Sequence, residues 1–130
     1  MLPAEYRMRR AQDFQRTVRH GYRGAGPLMV VHVAREAGAG STVKVGFVVS
    51  KAVGGAVARN RVRRRLRHLM RERLARLPGG IEVVIRARPD AAGARYETLA
   101  TELDDALDRA LDRTLARVPD GSVPAAGSSQ

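Results

Sequence analysis

The sequence predicts an α+β fold, a two-layer α-β sandwich in which one sheet lies under helices. Three observations predict it. Apolar residues recur at helical spacing in three separate stretches. Between them lie β-rich runs bounded by Gly and Pro. The chain has 130 residues, 44% of them hydrophobic, enough for one modest core and one domain. The expected order is helix, two or three strands, helix, strand, helix, at its fullest α-β-β-β-α-β-α, with no internal repeat.

The first helix is expected over about 11–19, where Ala11, Phe14 and Val18 share a face behind a cap at Asp13 or earlier and His20-Gly21 ends the pattern. Two β-rich runs follow, 28–34 and 42–50, separated by Ala37-Gly38-Ala39-Gly40. They are expected to pair as an antiparallel hairpin. In the second run Val43, Val45, Phe47 and Val49 fall on the expected core face, with Lys44, Gly46, Val48 and Ser50 on the other.

A second helix is expected over about 56–77, where Val62, Leu66, Leu69, Met70, Leu74 and Leu77 keep helical steps before Pro78-Gly79-Gly80. Ile81 to Ala87 reads as a short buried strand. The loop from Arg88 to Gly93 leads to a last helix over about 96–117, with Tyr96, Leu99, Leu103, Leu107, Ala110 and Leu111 as its buried stripe. One domain is therefore expected over 1–118, followed by a disordered tail, 119–130, rich in Pro, Gly, Ser and Ala.

The formal net charge is +11 at pH 7. Residues 1–90 hold 20 Lys or Arg against 6 acids, and residues 91–130 hold 4 against 7. Such a field attracts polyanions, nucleic acid first and an anionic membrane surface second. The charge is densest in Ala58-Arg59-Asn60-Arg61-Val62-Arg63-Arg64-Arg65-Leu66-Arg67-His68. At about 100° per residue, Arg64, Arg67 and Arg71 share an arc opposite Val62, Leu66, Leu69 and Met70. One face packs and the other meets phosphate, which the planar guanidinium binds bidentately. A solvated face of a GC-rich genome's arginines is the plainer alternative; it would usually carry balancing acids, and Glu72 is the only acid in this helix.

Other chemistries find little support. No Cys is present, and His20, His32 and His68 have no recognised ligand spacing, so no structural zinc is expected. No G-x-x-x-x-G-K-[ST] loop occurs; the turn Ser50-Lys51-Ala52-Val53-Gly54-Gly55 could let a phosphate approach the helix start, or be only a turn. The acids Glu97, Glu102, Asp104, Asp105, Asp108 and Asp112 read as the solvated face of the last helix rather than a two-metal nuclease centre. No apolar run of 18 residues and no secretory h-region is seen, so a cytoplasmic protein without membrane contact is expected. A helix-turn-helix would need a short helix just before the basic one, and none is read there.

Val45-Gly46-Phe47-Val48-Val49-Ser50-Lys51, then Val53-Gly54-Gly55-Ala56-Val57, Arg59-Asn60-Arg61 and Arg63-Arg64 resemble the protein subunit family of bacterial ribonuclease P. Arg9-Arg10, Asp13-Phe14, Gly21 and Val83 to Arg88 extend the resemblance to about residues 5–117. It implies a holoenzyme in which a large catalytic RNA, with Mg2+, removes the 5′ leader of precursor tRNA. The protein would be a noncatalytic accessory binding no cofactor alone, one copy per RNA. The resemblance also implies a left-handed crossover between parallel strands around the basic helix.

By the same resemblance Lys51, Arg59, Asn60, Arg61, Arg63, Arg64, Arg67 and Arg71 face the catalytic RNA, and Arg9, Phe14, His32 and Lys44 line a cleft for the leader. Phe14 fits base stacking and core packing equally. The family often has Lys at Ala52, Asn at Gly55, an aromatic at Val18 and Tyr at His32, so this cleft departs from the pattern. The alternative reading is a ribosomal or ribosome-assembly RNA-binding protein, which would share the basic helix without promoting cleavage.

Overall fold

The computed structural model describes residues 6–8, 10–35 and 42–116. Its elements are α1 (Ala11–His20), β1 (Tyr22–Ala25), β2 (Met29–Arg35), β3 (Val43–Val48), α2 (Ala56–Arg73), β4 (Ile81–Ala87) and α3 (Tyr96–Ala116). Short 3-10 turns cover Lys51–Val53, Leu74–Arg76 and Pro89–Gly93. The expected order of elements is therefore present. The expected tail, 119–130, lies outside the described residues.

The strands form one sheet in the order β1-β2-β4-β3. This corrects the expected hairpin, because runs 28–34 and 42–50 do not pair. The hairpin is β1 with β2, from Tyr22↔Val33 to Ala25↔Val30. Between β2 and β3 lies β4, antiparallel to β2 (Met29↔Ala87 to Arg35↔Ile81) and parallel to β3 (Val43↔Ile81 to Val48↔Arg86). The reason is burial: Ile81 to Ile85 are buried without interruption, so β4 needs cover on both faces and partners on both edges. The intervening glycine-rich stretch lies outside the described residues.

One face of the sheet carries Met29, Val31, Val33, Val43, Val45, Ile81, Val83 and Ile85 into the core. There they meet Val62, Leu66, Leu69 and Met70 of α2 and Leu99, Leu103, Ala106, Leu107 and Ala110 of α3. Of the expected core face of β3, Val43, Val45 and Val49 are buried, while Phe47 is only half-buried. The α2 helix ends at Arg73, earlier than expected; Leu74 and Leu77 still pack against the core, which carries the apolar period past the helix end.

The other face carries Val30, His32 and Ala34 of β2, Glu82, Val84 and Arg86 of β4, and Lys44 and Gly46 of β3, and α1 lies across it. Glu82 is buried there, bonded to the Arg16 guanidinium and accepting from the Thr17 hydroxyl at 3.2 Å. The α1 N-cap is Arg10 rather than Asp13, with no side-chain cap. Asp13 instead sits in the first turn, and its carbonyl accepts from the Thr17 hydroxyl at 2.9 Å.

Both sheet edges are covered, which blocks pairing with other chains. At β1 the Arg109 and Arg113 guanidinium groups donate to the carbonyls of Ala25 (3.0 Å) and Arg23 (3.1 Å). At β3 Arg7 forms a parallel bridge with Val45, whose carbonyl accepts from the Met8 N–H at 2.8 Å. Helix α3 crosses β1 so closely that a Cβ on Gly24 would lie 2.1 Å from the Ala106 carbonyl oxygen. Gly24→Ala is therefore expected to lower unfolding stability by about 2 kcal/mol, as overpacking does. Urea denaturation with an unchanged midpoint would show that α3 moves away without cost.

Candidate RNA interface

The basic helix keeps its apolar side in the core, so its cations are forced outward and sideways. Asn60, Arg64 and Arg71 are exposed on α2, as is Lys51 ahead of it; Arg59, Arg61, Arg63 and Arg67 are half-buried. Arg61 and Arg65 reach the opposite wall, donating to the carbonyls of Ala92 and Ala94 at 3.2 Å each. These two arginines hold the 89–94 turn, so Arg61 spends part of its donor capacity within the protein. Arg63 donates to the Asn60 side-chain oxygen at 3.3 Å.

At the start of α2 the backbone turns through Gly54 at φ 150, a conformation that favours glycine. Gly55 caps the helix without a side-chain hydrogen bond, and the first turn has no acid. At the far end the Arg73 guanidinium grips Asp104 of α3 through Nε at 2.6 Å and a second nitrogen at 3.0 Å, and Arg76 adds a bond at 3.0 Å. Bidentate pairing of this kind fixes orientation as well as distance. The basic helix is thereby locked to the α3 scaffold.

Asp104 and Glu102 correct the expectation that the acids of α3 form only a solvated face. Glu102 accepts from the backbone N–H groups of Leu28 (2.7 Å) and Met29 (2.9 Å), closing the turn between β1 and β2. Glu97, Asp105, Asp108 and Asp112 are exposed, as expected.

On the other flank, Arg67 turns away from the outer arc. With Arg7, Met8, Phe14, Val45, Gly46 and Phe47 it lines a recess of about 110 Å³ between α1, α2 and the β3 edge. Phe14 is half-buried and seated on Gly46, where a Cβ would lie 2.4 Å from its ring. The glycine lets an aromatic ring approach the sheet backbone while part of it stays open. Burial, then the Arg63 and Arg7 charges, push the Arg67 guanidinium below its ordinary proton affinity.

The remaining cleft candidates separate. Lys44 lies on the same sheet face, two residues before Gly46, partly buried. His32 is 3% exposed on β2, opposite Val84, so its ring is under the surface. Arg9 lies outside the described residues. Sequence reasoning missed Arg7, Gly46 and Phe47 as cleft walls, and Arg23 and Arg86 as cations beside His32. The period-2 placement of Glu82, Val84 and Arg86 was a readable signal for the last of these.

The sequence model of the family described as Ribonuclease P matches residues 2–111. The chain belongs to the ribonuclease P protein family. Among the relatives in this family, the Ribonuclease P protein component of Streptomyces avermitilis is 53% identical over 114 residues, covering 82% of this chain and 93% of that protein. That of Salinispora tropica is 46% identical over 138 residues, covering 93% and 97%. The solved RNase P protein of Staphylococcus aureus superposes with a TM-score of 0.74 at 26% identity, covering 81% of this chain and 94% of that one. The RNase P protein from Thermotoga maritima, at 22% identity and a TM-score of 0.67 over 82% and 96%, shares the fold.

In this family member the Arg73–Asp104 grip has a pH signature. The hydrogen bond from Arg73 holds the Asp104 carboxyl below its ordinary range. Its stabilising contribution is present above the unfolded carboxylate value, about 3.9, and is lost as pH falls through the lower folded value. Asp104→Asn should cost about 1 kcal/mol at pH 7, with the loss shrinking below pH 4. Chemical denaturation at pH 7 and pH 3 checks this; an equal loss at both would contradict an ionic origin.

Proposed function

We propose that, as the protein component of ribonuclease P, this chain binds the catalytic RNA through the outer face of α2 and grips the 5′ leader of precursor tRNA in the cleft between α1 and the sheet. It thereby assists Mg2+-dependent removal of the leader. The observation that carries this reading is the recess joining Phe14 to Arg67, because it sets an open aromatic ring beside an arginine of the basic helix.

On this reading Lys51, Arg59, Arg63, Arg64 and Arg71 neutralise phosphates of the catalytic RNA, and Asn60 adds a donor and an acceptor. Phe14 offers a stacking face to a leader base, while Arg67 and Lys44 hold the leader backbone. The leader therefore lies beside the RNA's own binding face. Magnesium is held by the RNA, since guanidinium and amide groups supply none of the anionic oxygens that the ion prefers. The chain screens RNA charge so that the folded RNA can hold the ion. One copy acts per RNA, in the cytoplasm; no helix among the described residues is long and apolar enough to cross a membrane.

Two outcomes test the division of labour. Arg64→Ala with Arg71→Ala should weaken binding to ribonuclease P RNA and flatten its log–log salt slope by about one to two units. An unchanged slope would remove that face from the interface. Phe14→Ala should lower holoenzyme affinity for precursor tRNA by about tenfold, from the loss of one base stack, and leave mature tRNA unaffected. Equal loss for both tRNAs, or thermal destabilisation alone, would contradict a stacking role.

A further inference from the structure

One row of side chains crosses the α1 face of the sheet, from Gly46 of β3 through Val84 of β4 and His32 of β2 to Arg23 of β1. With strands about 4.8 Å apart, His32 lies about 10 Å along this row from the seat of Phe14. Arg86, two residues beyond Val84, shares the face. His32 is buried, yet neither ring nitrogen has a hydrogen-bond partner among the described residues. Buried polar groups are normally bonded, and here neither nitrogen is committed to another protein group among the described residues. The flanking Arg23 and Arg86 are both exposed.

The charges facing this region come from every element packed around it: Arg23 on β1, Glu82 and Arg86 on β4, Lys44 on β3, and Asp13, Arg16 and His20 on α1. Glu82 is bound by Arg16 and Thr17. Burial first, then Arg86 and Arg23, lowers the His32 pKa to about 4, so the ring is neutral at pH 7.

We propose that Arg23 and Arg86 form a phosphate-binding subsite of the leader cleft, and that its occupation draws a proton from solvent onto His32. The inference rests on the cleft reading above and extends it. A phosphodiester over the two guanidinium groups cancels the Arg86 and Arg23 contributions that add to burial in opposing protonation, and its own negative charge favours the imidazolium beneath it. Its own charge does not change between pH 5 and 8, so the proton taken up belongs to the protein. The bound state then holds more protons than the free state, and leader affinity rises as pH falls from 7.5 towards 5. Above pH 7 it is flat.

The test uses holoenzyme reconstituted with a bacterial ribonuclease P RNA, and reads the ratio of precursor to mature tRNA affinity from pH 5 to 8. The ratio removes pH effects common to both substrates. For the unaltered protein it should rise about three- to tenfold between pH 7.5 and 5. His32→Gln, which cannot titrate, should abolish that rise, and Arg23→Ala with Arg86→Ala should abolish it and lower the ratio at pH 7.5. His20 and His68 remain in every variant as internal controls.

A second measurement needs no variant: the His32 ring titration followed by NMR in the full chain, alone and with pentauridylate. A pKa rising by roughly one and a half to two units with RNA, as the three- to tenfold effect requires, supports the linkage; a smaller rise or an unchanged pKa overturns it. An equal pH rise in His32→Gln and unaltered holoenzyme, or no rise in either, also overturns it while leaving the cleft intact. A precursor preference absent at every pH overturns the cleft reading and this inference with it.

Discussion

The insertion of β4 between β2 and β3 is the constraint on which the rest of the structure depends. A strand paired on both edges and buried along Ile81 to Ile85 has to be covered on both faces. Its parallel pairing with β3 obliges the intervening chain to run back across the layer, and that chain is α2. The apolar side of α2 is spent on the core, so its arginines are left for solvent, for the 89–94 turn and for the recess beside Phe14. On the opposite face, β4 anchors α1 through Glu82 and carries Val84 and Arg86 beside His32 of β2.

The chain carries few acids, and several of those near the basic surface are used structurally. Glu82 binds Arg16, Glu102 closes the β1–β2 turn and Asp104 holds Arg73. Carboxylates committed to such bonds are not available to neutralise Arg64, Arg71 or Lys51. Among the described residues most exposed acids lie on α3 (Glu97, Asp105, Asp108 and Asp112), with Glu72 on α2 and Asp90 in the 89–94 turn as the others. The resulting asymmetry gives an RNA partner one preferred side of approach.

Much of this was legible in the sequence because periodicity reports burial. The helices were found from the spacing of Ala11, Phe14 and Val18, of Val62, Leu66 and Leu69, and of Leu99, Leu103 and Leu107. The basic helix and its apolar seam were read in the same way. Strand pairing was not legible, since alternation in residues 43–49 specifies a face but not a neighbour, and nearness in sequence favoured the wrong partner. The continuous apolar run of β4 was the clue that it belonged in the centre.

The individual cleft residues were harder to see for the same reason. Phe14 shares its stripe with Ala11 and Val18, and only the missing side chain at Gly46, on another element, leaves room for its ring on the sheet. Arg67 lies in the same helical arc as Arg64 and Arg71, yet tertiary packing turns it towards Phe14. Contacts made by four separate stretches of chain leave no local pattern, whereas a helix face does.

The central claim is that this chain is an RNA-binding accessory whose charge lets a catalytic RNA work when magnesium is scarce. The most direct test is 5′ cleavage of a precursor tRNA by a bacterial ribonuclease P RNA at low magnesium, with and without the protein. The account predicts strong stimulation that fades as magnesium is raised. Tight RNA binding with no change in cleavage at any magnesium concentration would contradict it.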